Sequence, residues 1–250
     1  MPVTKRLLEA IEREERAVLF TVIEGEPVGA HLLVLESGER VGDGIPEVFA
    51  GQAGELIRAH RNLILEHGEL RVFAEIYAPP PRLVVYGAVD TAEAMCAAAK
   101  QLGWEAIVGD ARGKFATRER VPSADRIIVK WPEETLAEVE PDHATAIVVL
   151  THDDKFDVPM LKAALETEAF YIGALGSRRN QERRRERLLE AGVDEAELER
   201  IHGPCGLDIG AESQPETALS ILAEIVAVRH GREGGPLKRA KQRIHAEVME

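Results

Sequence analysis

A chain of 250 residues with 45% hydrophobic side chains has material for one large core or two small ones. Its net charge of −13 argues against wholesale nucleic-acid binding, which needs a basic surface to neutralise phosphates. No apolar run reaches the length of a membrane span, residues 1–20 lack a signal-peptide core, and two cysteines make no disulfide framework, so the expectation is a cytoplasmic protein away from membranes.

In chain order, "TKRLLEAIERE" has the spacing of an amphipathic helix with Leu7, Leu8 and Ile11 on one face. "RAVLFTVIEG" and "GAHLLVLESGERVG" read as strands joined by a Gly/Pro turn, "GELIRAHRNLIL" as a helix, and "GELRVFAEIYA" as an alternating final strand. The three prolines of "APPPR" (78–82) read as a stiff linker. They divide a small α/β domain, 1–78, from a second domain, 79–230; the tail, 231–250, reads as a surface helix or a frayed end. In the second domain the strand candidates "RLVVYG", "EAIVGD", "RIIVK", "TAIVVLT" and "FYIGAL" alternate with helices predicted over 91–102, 157–166, 178–190 and 214–230. Such alternation implies βαβ crossovers and a Rossmann-like, doubly wound, mostly parallel sheet. The last helix starts cleanly, with Ser213 as N-cap, Pro215 in the first turn and Glu216 completing a capping box; Leu219, Leu222 and Val226 are predicted to form its buried stripe.

Four segments of the second domain could carry chemistry. After the first strand, where a dinucleotide fold shows G-x-G-x-x-G, the three positions read Gly87, Val89 and Ala92. Val89 crowds the point where a backbone must approach a pyrophosphate, and Asp90, the natural N-cap with Glu93 three residues on, would repel one; a structural turn is the favoured reading. Asp110 lies 23 residues beyond Gly87 and is either a ribose-binding acid or an ion-paired neighbour of Arg112. In "LTHDDKFD", His152, Asp153, Asp154 and Asp157 follow a strongly apolar strand, where ligands of doubly wound sheets bind. An imidazole and carboxylates there could orient a metal-bound group or move protons; the other reading is an ordinary polar loop with Asp154 or Asp157 capping the next helix.

"IGALGSRRN" is the best anion candidate. Gly173 and Gly176 permit close backbone approach, Ser177 can cap a helix, and Arg178 and Arg179 fall in its first turn, where cations oppose the dipole unless an anion compensates. The remaining arginines, within 183–187, read as a solvated face balanced by Glu182 and Glu186. In "IHGPCGLDIGAESQPE", Cys205 sits between Pro204 and Gly206 on a shaped loop, and is either an accessible soft ligand or nucleophile or a buried inert thiol. His202 could lower its pKa and Asp208 could hydrogen-bond a ligand, whereas Cys96, inside an alanine-rich helix, reads as buried.

"THDDKFDVPMLKAAL", "YIGALGSRRN" and "GLDIGAESQPETALSILAEIVAVR" resemble the C-terminal Rossmann domain of the XdhC/CoxI family of xanthine dehydrogenase accessory proteins, and the likeness extends back through "PPPRLVVYGA". The resemblance implies a chaperone rather than an oxidoreductase. Such a protein binds molybdenum cofactor of the molybdopterin type transiently, protects it during sulfuration, and hands it to a molybdenum hydroxylase of xanthine dehydrogenase type. It implies a cysteine desulfurase as a second partner and a homodimer. In that setting Cys205 would hold the molybdenum or its sulfido group, Gly176, Ser177 and Arg178 would meet the pterin phosphate, and His152 and Asp153 would line the cleft. Asp208, Gly87 and Asp110 complete the cofactor-binding candidates. The N-terminal part keeps Gly29, Ala30, Leu33 and Val34 of the family pattern but has Ile45 where members carry a cysteine. Two other readings stay open: an NAD(P)-dependent oxidoreductase, supported by the alternating pattern and Asp110, and a regulatory or interaction protein without a small ligand.

Overall fold

The computed structural model describes residues 2–240 and 248–249, so most of the segment beyond Ala240, where a surface helix or frayed end is predicted, lies outside the described residues. The chain forms two compact units, Met1–Pro79 with Gly235–Glu250, and Pro80–Gly234. Among the described residues no helix is long and apolar enough to cross a membrane.

The first unit contains α1 (Val3–Glu12), β1 (Ala17–Glu24), β2 (His31–Leu35), β3 (Arg40–Gly42), α2 (Glu47–Ala50), α3 (Ala53–Ala59), β4 (Leu63–His67) and β5 (Leu70–Tyr77). Its strands pair antiparallel in the order β4-β5-β1-β2-β3, and Val248–Met249 adds a short parallel strand beside β4. The buried face of α1 is not the predicted one. Leu7 and Ala10 pack against Ala17, Leu33 and Leu35, while Leu8 and Ile11 are 56% and 48% exposed. The helix is rotated so that Arg6 also turns inward, where its guanidinium meets Glu15 and Glu39. The helix predicted over "GELIRAHRNLIL" stops at Ala59; His60 takes a left-handed conformation (φ 48°), and Leu63–His67 pairs with β5 instead. Here sheet pairing overrides local periodicity.

The second unit contains β6 (Arg82–Tyr86), α4 (Asp90–Gln101), β7 (Glu105–Gly109), β8 (Arg126–Ile128), α5 (Pro132–Val139), β9 (Thr145–Val149), α6 (Asp154–Leu165), β10 (Tyr171–Ala174), α7 (Arg178–Glu190), α8 (Glu195–Leu198), β11 (Ile201–His202) and α9 (Gln214–Arg229). All six strands are parallel, in the order β8-β7-β6-β9-β10-β11. That is the doubly wound Rossmann order, a class of sheet in which ligands bind beyond the carboxyl ends of the strands where the order reverses, here between β6 and β9. Alternate residues of the central strands serve opposite faces. Leu83, Val85 and Val148 pack with α4 and α9, and Val84, Ile147 and Val149 with α5 and α6. Burial on both faces explains why these strands read as continuous apolar runs. The stripe of α9 is Ala218, Ile221, Leu222 and Ile225, while Leu219, predicted to be buried, is 59% exposed. The Ser213 cap and its reciprocal bond with Glu216 form as the sequence indicates.

Candidate functional site

The glycine loop after β6 is closed by its own surroundings. Gly87 has φ 111°, and a Cβ there would lie 2.9 Å from the Thr151 methyl, so glycine is required by packing against the β9 loop. The next N–H, of Ala88, donates to Asp110 Oδ2 at 3.0 Å. Asp110 is fully buried, and its carboxylate also accepts from the Arg112 backbone N–H (2.9 Å), Nε (2.9 Å) and Nη2 (2.7 Å). Burial alone would raise its pKa, but the Arg112 guanidinium and the two N–H groups outweigh it and hold the carboxyl below its usual range. The ion pair with Arg112 that the second reading of Asp110 expects is therefore observed, and each carboxylate oxygen accepts two hydrogen bonds. The N-cap of α4 is Val89, without a side-chain capping bond. Asp90, predicted as the cap, is the first helical residue, and its carboxylate turns outward to Arg120 (3.2 Å). Glu93 accepts from the N–H and hydroxyl of Ser123 rather than closing a capping box.

Beyond β9 the four polar side chains separate. His152 is exposed. Asp153, not Asp154 or Asp157, caps α6, accepting from the Lys155 N–H at 3.2 Å and pairing with its Nζ at 3.0 Å; these contacts lower its pKa. Asp154 pairs with Arg183 at 3.4 Å. Asp157 points inward, accepting from the Thr151 hydroxyl and from Arg184 Nη2 at 2.7 Å.

Beyond β10 the residues of the predicted anion site lie at the start of α7. Ser177 caps α7 by accepting from the Asn180 N–H at 3.3 Å. Arg178 and Arg179 occupy the first turn, which holds no acid; both are exposed and form no ion pair among the described residues. Gly176 has φ 142°, which disfavours any side chain. Gly173 differs from expectation: a Cβ there would meet the Tyr171 ring at 2.6 Å, so the close approach it permits is taken up by a neighbouring side chain.

The arginine run is not uniformly solvated. Arg184 is buried, with Nη2 also donating to the Leu175 carbonyl (3.0 Å) and Nη1 to Gln181 Oε1 (2.6 Å), while Gln181 Nε2 donates to the Ala174 carbonyl (2.9 Å). Gln181, Arg184 and Leu188, at i, i+3 and i+7, share one inward helix face; that spacing was the available signal.

Cys205 is the buried alternative. It is 8% exposed, its N–H donates to the Ala174 carbonyl at 3.1 Å, and its side chain joins the core beside Tyr171 and Ile221. Burial, reinforced by the Glu224 carboxylate, pushes the thiol up to about 12, so at neutral pH it is protonated rather than a thiolate. His202 does not activate it. The ring stacks on Tyr171 with centroids 4.5 Å apart, and its Nδ1 meets Glu224 Oε1 at 3.3 Å. Glu224, which the sequence pattern did not single out, accepts also from the Tyr171 hydroxyl and from the Gly206 N–H at 2.7 Å. Burial would raise its pKa, but these partners, His202 first, lower it. The signal was an acid one turn beyond Ser220 on the mostly apolar inward face of α9. Asp208 is exposed on the following loop, and Cys96 is buried as expected. Among the described residues no group of three or more His, Cys, Asp or Glu side chains is placed to hold a metal ion.

Residues 83–225 match the sequence profile of the XdhC Rossmann domain. A protein of Bacillus subtilis (strain 168) described as a probable xanthine dehydrogenase component is 33% identical over 158 residues, covering 63% of this chain and 46% of that protein. The molybdenum cofactor insertion chaperone PaoD of Escherichia coli (strain K12) is 31% identical over 157 residues, covering 63% and 43%. A crystal structure described as a xanthine dehydrogenase from Bacillus halodurans superposes with a TM-score of 0.69 at 26% identity, over 92% of this chain and 67% of that one. The chain thus spans less than half the length of these two curated relatives.

Proposed function

The chain belongs to the XdhC family through its Rossmann domain, and from that membership we propose that it is an accessory protein carrying molybdenum cofactor to a xanthine dehydrogenase-type molybdenum hydroxylase. The observation that carries the proposal is the pair Arg178–Arg179 at the start of α7, within the matched domain, which forms no ion pair among the described residues. Two cations in a first turn without acids are unfavourable in the free protein and become favourable when an anion binds there. The cofactor brings a phosphate on its pterin. The N–H groups of the first turn and two guanidinium forks suit that group, and Ser177 orders the turn. His152 and Asp153 lie at the carboxyl end of the adjacent strand, where they would flank the ligand.

The fit is good at the anion end and poor at the metal end. Cys205 is buried and protonated, and it could hold molybdenum or a sulfido group only if the loop carrying it opened. Retention of the cofactor therefore rests on the α7 end. Protection of the cargo during sulfuration by a cysteine desulfurase, and action as a homodimer, belong to the same proposal. The NAD(P)-dependent alternative keeps the alternating pattern but loses the support it drew from Asp110, whose two oxygens each already accept two hydrogen bonds.

The test is anaerobic incubation with molybdenum cofactor, desalting, and assay of molybdenum and oxidised pterin. Wild type should retain both near stoichiometrically. Arg178→Gln/Arg179→Gln should lose both, and Cys205→Ala should keep them. Retention by none of the three overturns the carrier reading, and association with a hydroxylase in the same preparation would then favour an interaction protein.

A further inference from the structure

We propose that the buried ion pair between Asp157 and Arg184 is a positioning device: it sets the placement of the β9 loop relative to the β10 loop, and hence the geometry in which His152 and Ser177–Arg178 face a ligand. The identity of that ligand rests on the function proposed above; the positioning does not. The two side chains are only 3% and 5% exposed, with Arg184 Nη2 2.7 Å and Nε 3.3 Å from Asp157 Oδ2. The other carboxylate oxygen accepts from the hydroxyl of Thr151, the residue directly before His152. The same Nη2 also donates to the carbonyl of Leu175, directly before Gly176, at 3.0 Å. Gln181 extends the link, accepting from Arg184 Nη1 at 2.6 Å and donating to the Ala174 carbonyl at 2.9 Å. An unbroken chain of polar contacts therefore runs from the exit of β9, through α6 and α7, to the exit of β10.

Stability alone does not account for this arrangement. A buried ion pair gains little over an apolar pair of similar volume, because desolvation offsets most of the attraction. The planar fork of arginine supplies direction: it addresses a carboxylate, an amide and a carbonyl at once, which neither an apolar side chain nor the point charge of lysine can do. A ligand site whose parts sit on two loops needs such a support behind it.

The experiment compares wild type, Arg184→Lys and Asp157→Leu/Arg184→Met. The second variant removes both charges together, so no unpaired charge stays buried and the fold is kept. Amide hydrogen exchange is followed at 151–153 and 175–178, with the slowest amides of β9 and the urea midpoint as measures of global stability, and with molybdenum cofactor retention as the ligand readout. The expected result is faster exchange at both loops in both variants, unchanged β9 amides, and cofactor affinity reduced about tenfold, the usual size of a lost supporting contact. Unchanged exchange at the two loops, or equal cofactor affinity despite faster exchange, overturns the proposal. If wild type retains no cofactor the carrier function fails, and the exchange rates alone decide whether the ion pair holds the loops.

Discussion

Replacing Arg178 and Arg179 by glutamine is predicted to stabilise the free protein while abolishing its anion affinity. Glutamine matches arginine in helix propensity, so the substitution isolates charge. Both guanidinium groups are exposed in a first turn that contains no acid, and neither forms an ion pair among the described residues. Each cation at such a position opposes the helix dipole by about 0.3–1 kcal/mol at low ionic strength, so the pair costs roughly 1 kcal/mol. For a unit of this size that corresponds to a rise in melting temperature of roughly 2–4 °C. Calorimetry at about 20 mM and 1 M salt supplies the check, because screening at 1 M shortens the Debye length to about 3 Å and should erase most of the gain. The same variant should retain no molybdenum cofactor. A loss of stability at low salt, or a gain indifferent to salt, would show that the two charges are already compensated and would remove the ground for an anion site at α7.

Three further outcomes follow from the site. Glu224 has its pKa depressed below the ordinary 4.5, so it stabilises the fold above its unfolded pKa and that contribution is lost as pH falls through the folded value; Glu224→Gln should be less stable near neutrality, the gap to wild type closing below about pH 4.5 in urea titrations. A gap constant down to the acid transition would contradict the ionised carboxylate. Gly173→Ala places a methyl 2.6 Å from the Tyr171 ring and should cost about 1–3 kcal/mol by urea unfolding; an unchanged midpoint would mean the ring yields freely. Finally, native protein at pH 8 should resist maleimide at both cysteines, whereas urea-unfolded protein takes up label readily; rapid labelling of native Cys205 would revive it as an accessible ligand.

The parallel sheet was legible because its strands are buried on both faces and so appear as unbroken apolar runs, as in "LVVY" (83–86) and "TAIVV" (145–149). The start of α9 was legible because a capping box is local chemistry. Burial within charged or glycine-rich segments was not. Which of the arginines after Ser177 turns inward depends on Asp157, 27 residues away from Arg184, and the seat of Cys205 depends on a bond to Ala174. α5 escaped because "PEETLAEV" is short and acidic, and its place is fixed by Leu136 and Val139 packing into the sheet.

The departure from the glycine fingerprint takes on a different meaning once Arg112 is considered. Val89 alone would merely crowd a pyrophosphate. In the folded chain the Ala88 N–H is committed to Asp110, and Asp110 is sealed by Arg112, whose guanidinium lies 4.5 Å from the Phe115 ring centroid and 5.5 Å from that of Phe156. Loop, acid and cation thus form one closed unit at the carboxyl ends of β6 and β7. Restoring glycine at position 89 would leave the acid occupied and its donor spent, so it would not by itself restore a dinucleotide site. With that side of the switch point closed, the first turn of α7 at the exit of β10 presents two exposed cations that form no ion pair among the described residues.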